Sequence, residues 1–332
     1  MHPQPNPNLM FETLGGFQRS MALKGAMDLD LFTHIAEGAT TSSELARRIA
    51  AAEKGVRVLC DFLTMIGFLT KRDGVYGLTP DTAVFLNRHS PAYLGSVANF
   101  IAHPSQVAHV LDMAAVVRKG GSVAGEHTVD PDDPCWVEFA RSMTPIARMT
   151  AQAAAAILAQ LGTPLKVLDI AAGSGAFGIE ILKRNPAAEV SAQDWTSVLA
   201  LAVEHATQAG VAARYHTIPG SAFDVDFGSG YELILLPNFL HHFDPPTNVK
   251  LLRKVRAALA PAGRAAIIEY APNEDRVSPP VAVIMSLSML ATTKGGDAYT
   301  VAELEAMLRE AGFAESRTHA LGESQQTLIL GS

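Results

Sequence analysis

The segment Val167-Leu168-Asp169-Ile170-Ala171-Ala172-Gly173-Ser174-Gly175-Ala176-Phe177-Gly178 decides how this chain is read. A short apolar strand candidate, Lys166–Ile170, breaks into a G-x-G-x-x-G run, and a helical pattern, Ala176–Arg184, follows at once. Glycines let the backbone approach a ligand closely at the carboxyl edge of a sheet, and the helix opening at Ala176 aims its N-terminus at the same space. Asp194 ends the next strand candidate about twenty residues on, the context this motif requires. A carboxylate there suits two ribose hydroxyls, so the segment predicts a nucleoside site.

Working outward, strand candidates Lys166–Ile170, Glu189–Gln193, Ala213–Thr217, Leu233–Leu236 and Ala265–Tyr270 alternate with helical patterns, notably Ala176–Arg184, Val198–Gln208 and Pro246–Ala258. Alternation of this kind predicts a parallel, doubly wound α/β sheet. The tail departs from it. A helix, Val301–Ala311, precedes Glu315–Ala320, a short turn and Gln326–Leu330, and two strands joined so tightly must pair antiparallel. Two features favour S-adenosylmethionine over a nicotinamide dinucleotide. Asp169 puts a carboxylate at the end of the first strand, where a pyrophosphate is disfavoured and a sulfonium or ammonium is not, and the antiparallel tail is the second.

The first half reads as helical. Met10–Met27 is a periodic apolar segment broken at Gly15-Gly16. Thr41-Ser42-Ser43-Glu44 is a capping-box pattern, Lys54–Ile66 a further helix, and Phe68–Lys71 with Val75–Leu78 flank an Asp73-Gly74 turn. Helix, turn, helix, hairpin outlines a winged helix. Residues 91–118 read as helical and Lys119–Pro134 as loop. An alanine-rich helix, Pro145–Leu161, joins the halves, giving a division into 1–150 and 151–332.

Bulk properties narrow the function. The 332 residues are 48% hydrophobic and carry a net charge of −7, which opposes a broad nucleic-acid surface. The helix at Lys54-Gly55-Val56-Arg57 is short of exposed base-reading side chains, so a winged-helix transcription regulator is the weaker alternative. Two cysteines, Cys60 and Cys135, without a CxxC point to a reducing cytoplasm and offer no thiolate metal site. No signal-peptide pattern and no membrane-length apolar run is read.

VLDIAAGSG resembles the first motif of class I methyltransferases, with Ala171 where a glycine is usual. From Phe11 to the last strand the chain is similar to the small-molecule O-methyltransferases with an N-terminal winged-helix dimerisation domain, the caffeate, hydroxyindole and bacterial polyketide type. Gly220-Ser221-Ala222-Phe223, Leu240-His241-His242-Phe243-Asp244 and Gly295-Gly296-Asp297-Ala298-Tyr299-Thr300 carry the likeness. The resemblance implies a seven-stranded Rossmann-like sheet with an antiparallel last strand, and S-adenosylmethionine held by Gly173, Asp194, Trp195, Ser221, Ala222, Phe223 and Asn238. It also implies a homodimer interlocked through the N-terminal half, whose apolar residues between Met10 and Ile35 otherwise lack cover.

Methyl transfer from a sulfonium needs an oriented acceptor and often a base, and histidine titrates near neutrality. His241 and His242 follow the fourth strand, at the same sheet edge as the glycine loop. The resemblance makes His241 the general base and Glu269, ending the fifth strand, its orienting acid. A second acid of plant relatives falls at Ala298, with Asp297 the neighbour able to compensate. Phe139, Met143, Met285 and Met289 are candidates for an apolar acceptor pocket suited to flat small molecules. No metal signature appears. The expected reaction is O-methylation of a phenolic or enolic hydroxyl, with a nicotinamide-dependent oxidoreductase the other alternative.

Overall fold

The computed structural model describes residues 4–123, 135–160, 162 and 166–332. It divides into two compact units, Met1–Pro104 and Ser105–Ser332.

In the first unit, α1 (Asn8–Leu14) and α2 (Gly16–Asp28) are separated at Gly15, and α3 (Leu31–Ala36) follows. The Thr41–Glu44 capping box opens α4 (Ser42–Arg48), which precedes α5 (Glu53–Met65). Asp73 (φ 51°) and Gly74 (φ 80°) make the tight turn between β1 (Leu69–Arg72) and β2 (Val75–Leu78). Left-handed φ at both central residues matches the twist of the two strands. The helices α6 (Pro80–Phe85) and α7 (Ala98–Ile101) close the unit. Leu31, Phe32, Leu45, Leu63 and Tyr76 form its core. Leu9, Phe11, Leu14 and Phe17 on α1 and α2 are 76, 63, 67 and 67% exposed.

The second unit opens with α8 (Pro104–Val110), α9 (Met113–Lys119) and α10 (Cys135–Leu158). Then come β3 (Lys166–Ile170), α11 (Ala176–Arg184), β4 (Glu189–Asp194), α12 (Thr196–Gln208), β5 (Tyr215–Pro219), β6 (Tyr231–Pro237), α13 (Pro245–Ala258) and β7 (Leu259–Glu269). The chain ends through α14 (Pro280–Thr292), α15 (Val301–Glu310), β8 (Ser316–Ala320) and β9 (Thr327–Gly331). The strand order is β5-β4-β3-β6-β7-β9-β8. The first five are parallel, β9 runs antiparallel to β7, and β8 antiparallel to β9. The expected seven-stranded sheet with a reversed tail is therefore present.

Both faces are covered, which explains the near-continuous apolar strands. One core joins β-strand residues Val167, Val190, Leu235 and Ala266 to the alanine face of α10 and to α11 and α12. The other joins Leu168, Ile170, Ile234 and Leu236 to α13 and α15. Each fully buried leucine or isoleucine contributes about 1.5–3 kcal/mol.

Three boundaries differ from expectation. Pro145 lies inside α10 rather than at its start. An interior proline costs about 3 kcal/mol, and burial of Ala140, Thr144, Ala151, Ala154, Ala155 and Leu158 along one face outweighs it. The expected end of that helix at Leu161, like the 124–134 part of the expected loop, lies outside the described residues. β7 starts at Leu259, ahead of Ala265, because its exposed beginning lacks the apolar pattern that marks a strand, and β5 runs Tyr215–Pro219 rather than Ala213–Thr217. Among the described residues no helix is long and apolar enough to cross a membrane.

Candidate active site

At the end of β3 the chain turns through three left-handed residues, Ala171 (φ 52°), Gly173 (φ 56°) and Gly175 (φ 77°). The glycines do different jobs. A Cβ on Gly173 would meet only the Ala171 carbonyl, at 4.0 Å, so this residue borders open space. A Cβ on Gly178 would stand 2.8 Å from Val190 Cγ1, so that glycine lets α11 lie against the sheet. Ala171 adopts the left-handed conformation with a side chain attached, at a cost of about 1–2 kcal/mol. Ala171→Gly is expected to raise stability by about 1 kcal/mol, a Tm increase of about 2–4 °C by differential scanning fluorimetry. An unchanged or lower Tm would show that the loop carries no such strain.

Asp194 braces this loop. Its Oδ2 accepts from the Gly173 N–H at 2.8 Å and its Oδ1 from the Trp195 N–H at 2.7 Å. Burial pushes its carboxyl up to about 6. Gln193, one residue earlier, donates from Nε2 to the Gly220 carbonyl at 2.5 Å and accepts at Oε1 from the Ala171 N–H at 3.3 Å, tying the glycine loop to the Gly220 loop. Trp195 packs with Trp136 and Val137 against Ala140, Val198 and Leu201. Asp169 does not face the ligand space. It is fully buried, and its Oδ2 turns under the loop to accept from the Gly178 N–H at 2.9 Å. Its carboxylate therefore caps α11, and the argument that set it against a pyrophosphate does not hold.

Ser221 closes its own turn, its hydroxyl accepting from the Phe223 N–H at 3.2 Å, and Ala222 is buried. Lys254 of α13 clamps this loop by donating to the Ala222 and Val225 carbonyls at 2.8 and 2.5 Å. Phe223 packs edge-on against Phe243, ring centroids 5.0 Å apart, and lies 6.5 Å from Phe239. Asn238, at the end of β6, has φ 52°, and its Oδ1 is buried without a partner. An unpaired acceptor and a carboxylate at one sheet edge fit a donor-rich ligand, such as one with ribose hydroxyls and an ammonium. These residues therefore fit the expected cofactor.

The histidine turn follows β6 as a single 3₁₀ turn, Leu240–His242. His241 Nδ1 lies 2.6 Å from Glu269 Oε2, both side chains buried. Glu269 Oε1 also accepts from the backbone N–H groups of Leu240 and His241, at 2.9 and 3.3 Å. A carboxylate only accepts, so Nδ1 carries a proton, and in the neutral ring Nε2 is the nitrogen with the lone pair. Asn248 Nδ2 donates to the Leu240 and Phe243 carbonyls at 2.9 and 3.2 Å, and Asp244 caps α13. Gly296 is flush with the turn: a Cβ there would fall 2.2 Å from the His241 carbonyl oxygen. His242 lies over His241, ring centroids 4.5 Å apart, and meets Trp136 edge-on at 6.1 Å. Burial, then the neighbouring His241, holds the His242 imidazole well below its usual range, so it stays neutral.

Phe139 joins this array through Trp136, at 6.2 Å. Met289 is buried on α14, whose C-terminus meets Gly296 through Thr293 Oγ1 at 2.8 Å. Met143 and Met285 lie one turn from Phe139 and Met289 on the same helices, half-buried, and the geometry ties neither directly to His241. Ala298 is buried, and Asp297 pairs instead with Arg276 at 3.3 Å on the surface, so Glu269 is the acid on the His241 ring. Gln193, Asn248, Lys254, Gly296 and Trp136 were not singled out from sequence. Gly296 alone had a signal, its place in the Gly295–Thr300 motif. Among the described residues no cluster of three or more His, Cys, Asp or Glu is placed to hold a metal.

A left-handed glycine loop, a carboxylate one strand over and a histidine held by a buried glutamate share one edge of a reversed-tail sheet, the arrangement of a class I methyltransferase fold. Residues 127–314 match the O-methyltransferase domain family and residues 11–88 the O-methyltransferase dimerisation domain family. The chain belongs to the S-adenosylmethionine-dependent O-methyltransferases, which sets aside the dehydrogenase and regulator readings. It is 47% identical to a protein of Nostoc punctiforme assigned as an O-methyltransferase, whose crystal structure superposes with a TM-score of 0.96 over 99% of both chains. It is 29% identical to 3-hydroxy-5-methyl-1-naphthoate 3-O-methyltransferase of Streptomyces sahachiroi, over 94% of this chain and 91% of that one. It is 28% identical to acetylserotonin O-methyltransferase of Mus musculus molossinus, over 91% and 82%.

Proposed function

We propose that this chain methylates a phenolic or enolic hydroxyl of a small, flat, secondary-metabolite-type acceptor, with His241 as general base and Glu269 as its orienting acid. The observation that carries the reading is the buried 2.6 Å contact between His241 Nδ1 and Glu269 Oε2 at the sheet edge bearing the glycine loop. The Streptomyces relative is named for methylation of an aromatic hydroxyl, and the aromatic array Phe139–Trp136–His242 beside His241 suits such an acceptor.

Gly173, Asp194, Trp195, Ser221, Ala222, Phe223 and Asn238 would hold S-adenosylmethionine, which when bound supplies an electrophilic methyl group. Phe139, Met143, Met285 and Met289 would wall the acceptor against water and direct its hydroxyl toward Nε2. His241 Nε2 would take the hydroxyl proton as the acceptor oxygen receives the methyl group. Glu269 stabilises the resulting imidazolium and prevents the ring from turning. Calorimetry with S-adenosylhomocysteine, then turnover screening of phenolic and polyketide-like acceptors, tests the reading. No binding, or binding with methylation confined to nitrogen or carbon, refutes it.

The functional division follows the same reading, with dimerisation in residues 1–150 and methyl transfer in 151–332, in the cytoplasm; the boundary falls within α10, whose Phe139 and Met143 serve the acceptor wall from the first segment. The exposed Leu9, Phe11, Leu14 and Phe17 need a cover, and a second copy supplies it. Sedimentation velocity is expected to show a dimer at micromolar concentration, and a stable monomer there would overturn the assignment.

A further inference from the structure

Glu269 of β7 and Asn248 of α13 hold the histidine turn by hydrogen bonds. A further element lies against it, the connection between α14 and α15. A Cβ built on Gly296 would stand 2.2 Å from the His241 carbonyl oxygen, 2.7 Å from Thr293 Oγ1 and 2.8 Å from the His242 carbonyl carbon. Two of these atoms are backbone, which cannot swing aside as the end of a side chain can. Gly296 is not left-handed, so closeness alone, not backbone conformation, asks for glycine here. Its neighbour Gly295 is exposed, and a Cβ there would meet the Asp244 Cβ at 3.4 Å, an ordinary contact. The Gly296 backbone is itself fixed. Its N–H donates to Thr293 Oγ1 at 2.8 Å, and that buried hydroxyl donates to the Met289 carbonyl at 2.7 Å. The Thr293 carbonyl accepts from the Ser122 N–H at 2.8 Å. Three residues after Gly296, the hydroxyl of buried Tyr299 donates to the Phe243 carbonyl, where the turn ends. Burial, then the nearby Asp297 carboxylate, raises this hydroxyl above its usual range, so it remains a donor.

We propose that Gly296 and Tyr299 are positioning residues for the general base: the α14–α15 connection is a stop against the histidine turn, and it sets how far His241 stands from the acceptor hydroxyl. The proposal rests on the reading of His241 as that base. Neither residue touches acceptor or cofactor; both act through the backbone of the turn. A methyl group at position 296 must drive the connection and the turn apart by about 1 Å before the contact becomes ordinary, and misplacement of that size costs up to about 100-fold in rate. The other two holds do not prevent this. Glu269 and Asn248 draw the turn toward β7 and α13, whereas the connection limits its position by contact. Gly173 and Asp194 belong to β3, β4 and the loop between β3 and α11, so cofactor binding does not pass through this contact.

A double-mutant cycle with His241 tests this, read as single-turnover methylation rates at saturating cofactor. Gly296→Ala is expected to lower the rate about 10–100-fold, with the Kd for S-adenosylhomocysteine within about threefold of the parent. Gly295→Ala is expected to stay within about twofold. Tyr299→Phe keeps the ring and its packing, and the Phe243 carbonyl keeps its Asn248 donor; a loss of about 3–10-fold is expected. This variant decides the matter should Gly296→Ala not fold. In a His241→Ala background each change is expected to move the residual rate by less than about twofold, because residues acting through one group are not additive. A penalty that persists in that background, a matching loss from Gly295→Ala, or parent rates in both Gly296→Ala and Tyr299→Phe would overturn the proposal. Failure of the base reading looks different: His241→Ala by itself would then turn over within about threefold of the parent.

Discussion

His241→Ala is expected to lower kcat by about 10²–10⁴-fold while the Kd for S-adenosylhomocysteine moves by less than about threefold. The side chain sits outside the glycine loop, and its one strong contact is to Glu269. The variant should still fold, because Glu269 keeps the Leu240 and His241 backbone donors when the ring is gone. Glu269→Gln should act on the same step more mildly. An amide can accept at one atom only, so it cannot serve the turn and the ring together. Single-turnover rates with saturating cofactor give the measurement. A His241→Ala enzyme within about threefold of the parent would leave proximity as the whole of catalysis, and the base assignment would be wrong.

Asp194→Ala is expected to weaken S-adenosylhomocysteine binding by at least about 100-fold, since each hydrogen bond to a charged group is worth about 1.5–3 kcal/mol. Two ribose hydroxyl donors are at stake, and the Gly173 N–H loses its brace as well. The same group makes binding depend on pH. In the free protein burial raises Asp194 to about 6, and ribose donors favour the ionised form and pull that value down. Affinity is therefore flat above about pH 6 and falls as pH drops through it. Asp194→Asn should flatten that fall. Isothermal titration from pH 5 to 8 decides the matter: affinity retained in Asp194→Ala would remove this carboxylate from the cofactor site.

Much of this geometry was legible because it is local. The strand–glycine–helix run at Lys166–Arg184 and the position of Asp194 one strand later depend on spacing alone, as does the placement of His241 and Glu269 at the ends of β6 and β7. The antiparallel tail was legible for the same reason, a turn too short for a crossover. What spacing does not encode is which face a side chain takes once neighbouring elements arrive. Asp169 shares with Val167 the face covered by α11, so it turned inward where the sequence suggested a ligand-facing charge. Gln193, Asn248 and Lys254 work by reaching carbonyls 5–32 residues away in the chain, and no single-sequence pattern marks such partners. Pro145 misled the reading because proline usually opens a helix, and only the buried face of α10 shows why it is tolerated within one.

Glu269 holds the histidine ring with one oxygen and the backbone of the histidine turn with the other. On the proposed mechanism reactivity and local architecture share a single carboxylate, and a lineage that discards the first disturbs the second. The walls proposed on α10 and α14 would be under no such double obligation. On that proposal, diversification toward new acceptors, natural or in the laboratory, has room to proceed through Phe139, Met143, Met285 and Met289 while the proton-transfer edge is inherited unchanged.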